Sequence, residues 1–187
     1  MRRVLLALSL VTVVWIATLA LHAASLAGVT LPDSQQVAGK SLVLNGLGLR
    51  TKMFVKVYVA GLYLEQKSSD ASAIMKSDSA KRIVMHFLYH PSKSQMVDAF
   101  KEGFQDNAPD AVKSIEPDLN KLYGALQDLK AGDEMVFTYV PATGTTLAIN
   151  GQDKLTIAGE PFEQALLSVW LGPKPPTADV KKGMLGH

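Results

Sequence analysis

Arg50, Lys52 and Lys56 sit inside the run "LNGLGLRTKMFVKVYVAGLYLE", residues 44–65, which is otherwise apolar and β-branched. Tyr58 follows two positions after Lys56. Cations and a phenol on an apolar background suit one kind of chemistry: holding an anion that carries an apolar body. Arginine adds a planar fork that can grip a carboxylate through two parallel hydrogen bonds. Arg50 and Arg82 are the only arginines beyond residue 3. On a strand, Lys52, Phe54, Lys56, Tyr58, Ala60, Leu62 and Leu64 share a face. A plainer reading makes Arg50 and Lys52 solvated turn residues and lets Lys56 snorkel from a core face. Arg50 and Tyr58 are eight residues apart, about 26 Å along one straight strand. They share a head group only if the chain reverses or bends near Thr51-Lys52.

Other residue patterns are weaker. Gly46-Leu47-Gly48 hints at a phosphate loop, but the third glycine of a dinucleotide fingerprint is replaced by Thr51, and no helix follows. His86 and His90 have a metal-ligand spacing only on a helix. In and just after a strand they lie about 13 Å apart. Asp98 and Glu102 stand four apart beside Lys101, as a solvated helix face does. No G-x-S-x-G and no H-E-x-x-H occurs. Spacing alone points to no catalytic residue, no metal site and no cofactor.

The elements that must position these residues alternate in type. Val37–Leu49 and Met53–Glu65 read as strands joined by a turn at Thr51-Lys52. Asp70–Lys76 reads as a short helix and Arg82–Tyr89 as a strand. Ser92 with Gln95 forms a capping box that opens a helix carrying Met96, Phe100 and Phe104. Pro117 starts another, with Leu119, Leu122, Tyr123, Leu126 and Leu129 on one face. Glu134–Val140, Thr145–Asn150 and Lys154–Ile157 are strands, and Glu160–Leu171 is an amphipathic helix stopped by Gly172-Pro173. The tail from Lys174 is rich in proline and lysine. Strands, then helices, then strands, then a helix predict an α+β fold: an antiparallel sheet covered on one face by helices.

The 187 residues suit one domain with a sizeable core. Met1-Arg2-Arg3 is basic, residues 4–21 are almost entirely apolar, and Ser25-Leu26-Ala27 offers small residues for cleavage. This is the pattern of a signal peptide over residues 1–27, with a mature domain over 28–187. The same apolar stretch is long enough for an uncleaved membrane anchor. The chain holds 19 Lys+Arg and 17 Asp+Glu, and Arg2 and Arg3 account for the whole surplus. A mature domain without net charge gives no electrostatic reason to expect nucleic acid. There is no cysteine, which excludes disulfides and thiol chemistry. A periplasmic or secreted location follows from the leader, with no stable membrane insertion after its removal. The sequence carries no signal for oligomeric state.

The run at residues 44–65, together with "ALLSVWLG" and "VKKGMLG" near the C-terminus, resembles the chalcone isomerase-like superfamily, in particular its bacterial exported branch. The resemblance spans about Val37 to Gly186. It implies an open-faced β-sandwich: a large antiparallel sheet with a layer of helices. The superfamily includes plant enzymes that cyclise chalcones, plastid fatty-acid-binding proteins, and members with no known reaction. Aligned by hand, the enzymes' arginine falls on Asn45, their threonine on Tyr58, their helix tyrosine on Lys93 and their helix asparagine on Phe100. All four identities differ. Cyclisation needs a positioned cation and donors for a developing enolate. The resemblance thus implies a non-catalytic protein holding a fatty acid or similar small apolar anion, with Arg50, Tyr58, Lys56, Lys93, Phe100 and Asn45 as candidate ligand-binding residues. A pocket lined by Tyr58, Phe100 and Phe104 is the expected site. An isomerase on another substrate, or a module that binds no ligand, are the alternatives.

Overall fold

The computed structural model describes residues 23–187. The basic start and apolar centre of the expected leader lie outside the described residues.

Seven strands form one antiparallel sheet in chain order. They are β3 (Ser34–Val37), β4 (Lys40–Lys52), β5 (Val55–Leu64), β6 (Lys81–Phe87), β7 (Glu134–Val140), β8 (Gly144–Ile149) and β9 (Gln152–Ile157). Before them, β1 (Ala23–Leu26) and β2 (Val29–Pro32) make a separate hairpin. Ala23–Leu26, which the sequence placed at the end of the leader, is thus a paired strand.

The helices are α1 (Ala71–Lys76), α2 (Lys93–Asn107), α3 (Pro109–Val112), α4 (Glu116–Ala125), α5 (Glu160–Leu171) and α6 (Ala178–Met184). One face of the sheet packs against this layer. Tyr58, Ala60, Leu62 and Leu64 of β5 meet Phe100 and Phe104 of α2 and Trp170 of α5 in one buried cluster. The other face carries Val59, Tyr63 and Val84, which pack against Val29 and Leu31 of the β1–β2 hairpin. Side chains alternate across a strand, so β5 feeds both cores. The fold is the α+β sheet-and-helix arrangement that the sequence predicted.

Helix α5 lies deepest. Phe162, Ala165, Leu166, Leu167, Val169, Trp170 and Leu171 are all buried, and so are Glu163 and Ser168, so the helix is buried nearly all round. The capping box of α2 is present: Gln95 N donates to Ser92 Oγ (3.2 Å) and Ser92 N to Gln95 Oε1 (3.0 Å).

Two local features depart from the sequence reading. The β4–β5 turn falls at Met53-Phe54, two residues beyond Thr51-Lys52, and both turn residues have positive φ (47° and 69°). The tail from Lys174 is not featureless, because α6 buries Val180 and Met184 against β4. Gly46 and Gly48 permit that seat: a Cβ on either would collide with backbone atoms of α6. The Gly46-Leu47-Gly48 run is therefore a helix seat and cradles no phosphate.

Candidate functional site

A cavity of about 280 Å³ opens between the β4–β5 hairpin, the end of β6, and helices α2 and α5. Met85, Phe87, Phe100 and Val169 give it apolar walls. Phe100 meets Trp170 edge-on, with ring centroids 6.1 Å apart. Tyr58 meets Phe87 likewise at 5.7 Å. Edge-to-face aromatic contacts of this kind fix ring positions as well as burying area.

The polar end is built by β-sheet pairing. Arg50 on β4 is the cross-strand partner of Tyr58 on β5. The Arg50 guanidinium lies 5.7 Å from the centroid of the Tyr58 ring, a cation–π distance. Trp170 Nε1 donates to Tyr58 Oη at 3.0 Å. An indole N–H can only donate, so the phenol oxygen accepts and its own hydrogen remains available. Burial holds the Tyr58 phenol above its ordinary pKa, against the opposing pull of Arg50 and of the Trp170 hydrogen bond. The phenol is neutral and a donor. Arg50 Nε is buried and has no hydrogen-bond partner. Among the described residues no carboxylate forms an ion pair with Arg50. A buried donor without a partner costs free energy until something accepts from it. At the mouth, Lys174 pairs with Asp106 at 3.1 Å, so that cation is already engaged.

The cavity brings together three of the six candidate residues: Arg50, Tyr58 and Phe100. The other three lie elsewhere, each for a local reason. A bulge at Val57 sits between the Arg50–Tyr58 and Thr51–Lys56 pairs. It turns Val57 toward the helix-side core and leaves Lys56 exposed and outside the cavity lining. A second bulge isolates Asn45 between the Leu44–Tyr63 and Gly46–Leu62 pairs. Asn45 Nδ2 there donates to Ser68 O (2.9 Å) and Met184 O (2.8 Å), and Asn45 Oδ1 accepts from Ser68 N (2.8 Å). It fastens α6 and touches no cavity. Lys93 opens α2 on the surface, where its Nζ donates to Gly124 O at 2.8 Å. Phe104, expected to line the pocket, does stack on Phe100 (ring centroids 6.2 Å), but it is turned into the core against Phe162 and lies outside the cavity lining. Trp170 is the polar contact that residue spacing missed. It was legible only as the tryptophan of "ALLSVWLG", on the inward face of α5.

The two histidines do not converge. His86 Nδ1 lies 3.3 Å from Glu134 Oε1, while His90 Nδ1 accepts from Ala131 N. Among the described residues no group of three or more His, Asp or Glu is placed to hold a metal ion.

A family model described as chalcone isomerase-like matches residues 23–186. The chain belongs to the chalcone isomerase-like family. Its structure is similar to the crystal structure of a fatty-acid binding protein of Arabidopsis thaliana, with a TM-score of 0.69. That similarity covers 88% of this chain and 96% of the other, at 14% sequence identity. No curated protein sequence matches the chain. Within the family's fold, the cavity occupies the space between sheet and helix layer, with Arg50 and Tyr58 at its polar end.

Proposed function

We propose that this chalcone isomerase-like chain is an exported, non-catalytic binding protein for a fatty acid or a similar small apolar anion. The observation that carries the reading is the Arg50–Tyr58 pair. A guanidinium that no carboxylate among the described residues pairs with, and a phenol with a free hydrogen, line one cavity whose walls include Phe87, Phe100 and Val169. A carboxylate would supply the acceptor that both groups lack, and its chain would lie against Phe87, Phe100 and Val169. The name of the Arabidopsis structure points the same way. Ligand pockets commonly enclose about 300–1,000 Å³. A cavity at the low end suits a short acyl chain, or a longer one that emerges at the mouth.

Titrating a fluorescent fatty acid, then displacing it, tests the reading. Unlabelled fatty acids should displace it and the corresponding alcohols should not, because only the acid answers Arg50. No binding at all would favour a module without ligand. Equal displacement by alcohols would remove Arg50 from the site.

Export rests on the leader pattern. N-terminal sequencing of protein recovered from its host's envelope tests it. A start at Gly28 fits the expected cut and would leave β2 without β1. An intact Met1 in membranes would favour the anchor.

Isomerase activity is the second reading, and Arg50 is what favours it. The sequence alignment put the enzymes' arginine on Asn45, yet the structure supplies a cavity cation from Arg50 five residues later.

A further inference from the structure

We propose that the tip of the β4–β5 hairpin docks the protein on the surface of a lipid bilayer rich in anionic headgroups, with Met53 and Phe54 immersed.

Four large hydrophobic side chains are exposed among the described residues: Met53, Phe54, Val55 and Tyr89. All four lie at one end of the sheet. Phe54 is 101% exposed and Met53 85%, so neither packs on anything in the protein. Tyr89 follows Leu88, whose N donates to Val57 O (2.9 Å), which places it beside the hairpin base. Single exposed apolar residues need no explanation, but a grouped set at one end does.

The turn itself breaks a local rule. Two-residue hairpin turns with positive φ at both positions favour Asn-Gly or Gly-Gly. Left-handed backbone at an ordinary residue crowds Cβ against the neighbouring carbonyl and is strained. This turn uses Met53-Phe54 instead, and the two side chains gain no burial in return. Strain without a packing gain marks a site whose partner lies outside the chain.

Charge identifies the partner. Residues 34–64 contain no Asp or Glu, while Arg50, Lys52 and Lys56 lie at the tip end of this stretch; Lys40, at the other end of β4, pairs with Glu65. Among the described residues, no acid pairs with Lys52 or Lys56. The two lysines flank the apolar tip from both strands. The tip begins one residue beyond Lys52 and two beyond Lys56, about 3–7 Å of strand. That separation is of the order of the roughly 5–10 Å to which interfacial apolar side chains sink while lysines meet headgroup phosphates. A tyrosine at the rim suits the aromatic belt of a bilayer interface. No helix among the described residues is long and apolar enough to cross a membrane, and the docking described here spans nothing. Lys52 and Tyr89 also line the cavity mouth, so a docked protein would open its cavity toward lipid. The docking stands on the hairpin alone and does not require that the cavity hold a ligand.

The chain has no cysteine, so Met53→Cys in the full-length protein takes one environment-sensitive fluorophore at the tip. Thr143→Cys, in the loop at the opposite end of the sheet, is the control. Residues 4–21 are apolar enough to hold the full chain on vesicles, so the probe is read for immersion and not for co-sedimentation. With phosphatidylglycerol-rich vesicles, the tip label should shift to the blue and be quenched by nitroxide lipids. The control label should do neither. Lys52→Gln with Lys56→Gln should lower the partition that the tip label reports by about tenfold or more, at the usual contribution of a lysine near an anionic surface. Phe54→Asp should abolish immersion, and in vesicle-free solution its fluorescent fatty-acid affinity should match wild type. A tip label that stays aqueous on vesicles overturns the proposal. So does equal immersion of both labels, or a label buried without lipid in a protein that sediments as a dimer. Tip immersion in a protein that binds no fatty acid would sink the ligand reading and leave the docking intact.

Discussion

Arg50 and Tyr58 face each other across the β4–β5 ladder, although eight residues separate them in the chain. The turn at Met53-Phe54 and the bulge at Val57 together produce that pairing. Arg50→Ala should weaken fatty-acid binding by roughly 1.5–3 kcal/mol, the range for a hydrogen bond to a charged group. Tyr58→Phe should cost about 1 kcal/mol of binding. Fluorescent fatty-acid titration of both variants is the check, and unchanged affinity in both would move the anion site elsewhere.

Tyr58→Phe should also lower stability, which Arg50→Ala should not do to the same degree. Removing the hydroxyl leaves Trp170 Nε1 buried with no acceptor. An orphaned buried donor costs about 1–3 kcal/mol. Urea denaturation should therefore show an earlier midpoint for Tyr58→Phe with little change in slope.

Gly48→Ala should destabilise the protein through α6 alone. Its Cβ would meet the Val180 backbone, which cannot rotate away as a side chain can. Overpacking typically costs about 1–3 kcal/mol. Hydrogen exchange should show faster exchange in α6 while β6 and β7 stay protected. Normal protection of α6 would mean that the helix seats without needing the glycine.

Periodicity made most of the sheet and helix layer legible. The apolar faces of α2 and α5 and the alternation in β5 are in the residues themselves. The turn was not, because Met53-Phe54 carries none of the usual turn residues and strand alternation runs straight through it. That two-residue error hid the Arg50–Tyr58 pair. The Val57 bulge was equally invisible, and it removed Lys56 from the expected face. Helix α6 was masked by the prolines before it. Asn45 was placed by alignment to a family position, while its role is set by Ser68 and Met184, which are distant in sequence.

Glu163 should make stability pH-dependent. Its carboxylate pairs with Lys81 at 2.9 Å, and both side chains are only 2% exposed. Burial pushes the Glu163 carboxyl up to about 7, against the pull of Lys81, from an ordinary 4.5. Between these values the native state keeps a proton that the unfolded chain has released. Stability from this group is therefore full below about 4.5, falls as pH rises through 7, and levels off above it. Glu163→Gln cannot titrate and should lack that slope. Urea midpoints of both proteins at acid and alkaline pH give the comparison, and parallel pH profiles would assign the slope to other groups.

The protein should not cyclise chalcones at an enzymatic rate, even though Arg50 supplies a cation. Cyclisation also needs donors preorganised on the developing enolate, and removing one such donor can cost about 10²–10³ in rate. Four aligned catalytic identities are replaced by Asn45, Tyr58, Lys93 and Phe100. Of these, Asn45 is committed to α6 and Lys93 to the Gly124 carbonyl, both away from the cavity. Phe100 has no polar atom. Tyr58 alone can donate, and it shares the Arg50 end, so cation and donor sit together on one ligand group. That clustering suits a carboxylate and sets no second preorganised donor opposite it on the apolar walls of Met85, Phe87, Phe100 and Val169. The check is flavanone formation followed by absorbance and chiral chromatography. A stereoselective, saturable rate well above the spontaneous one would overturn the prediction and make Arg50 the first residue to mutate.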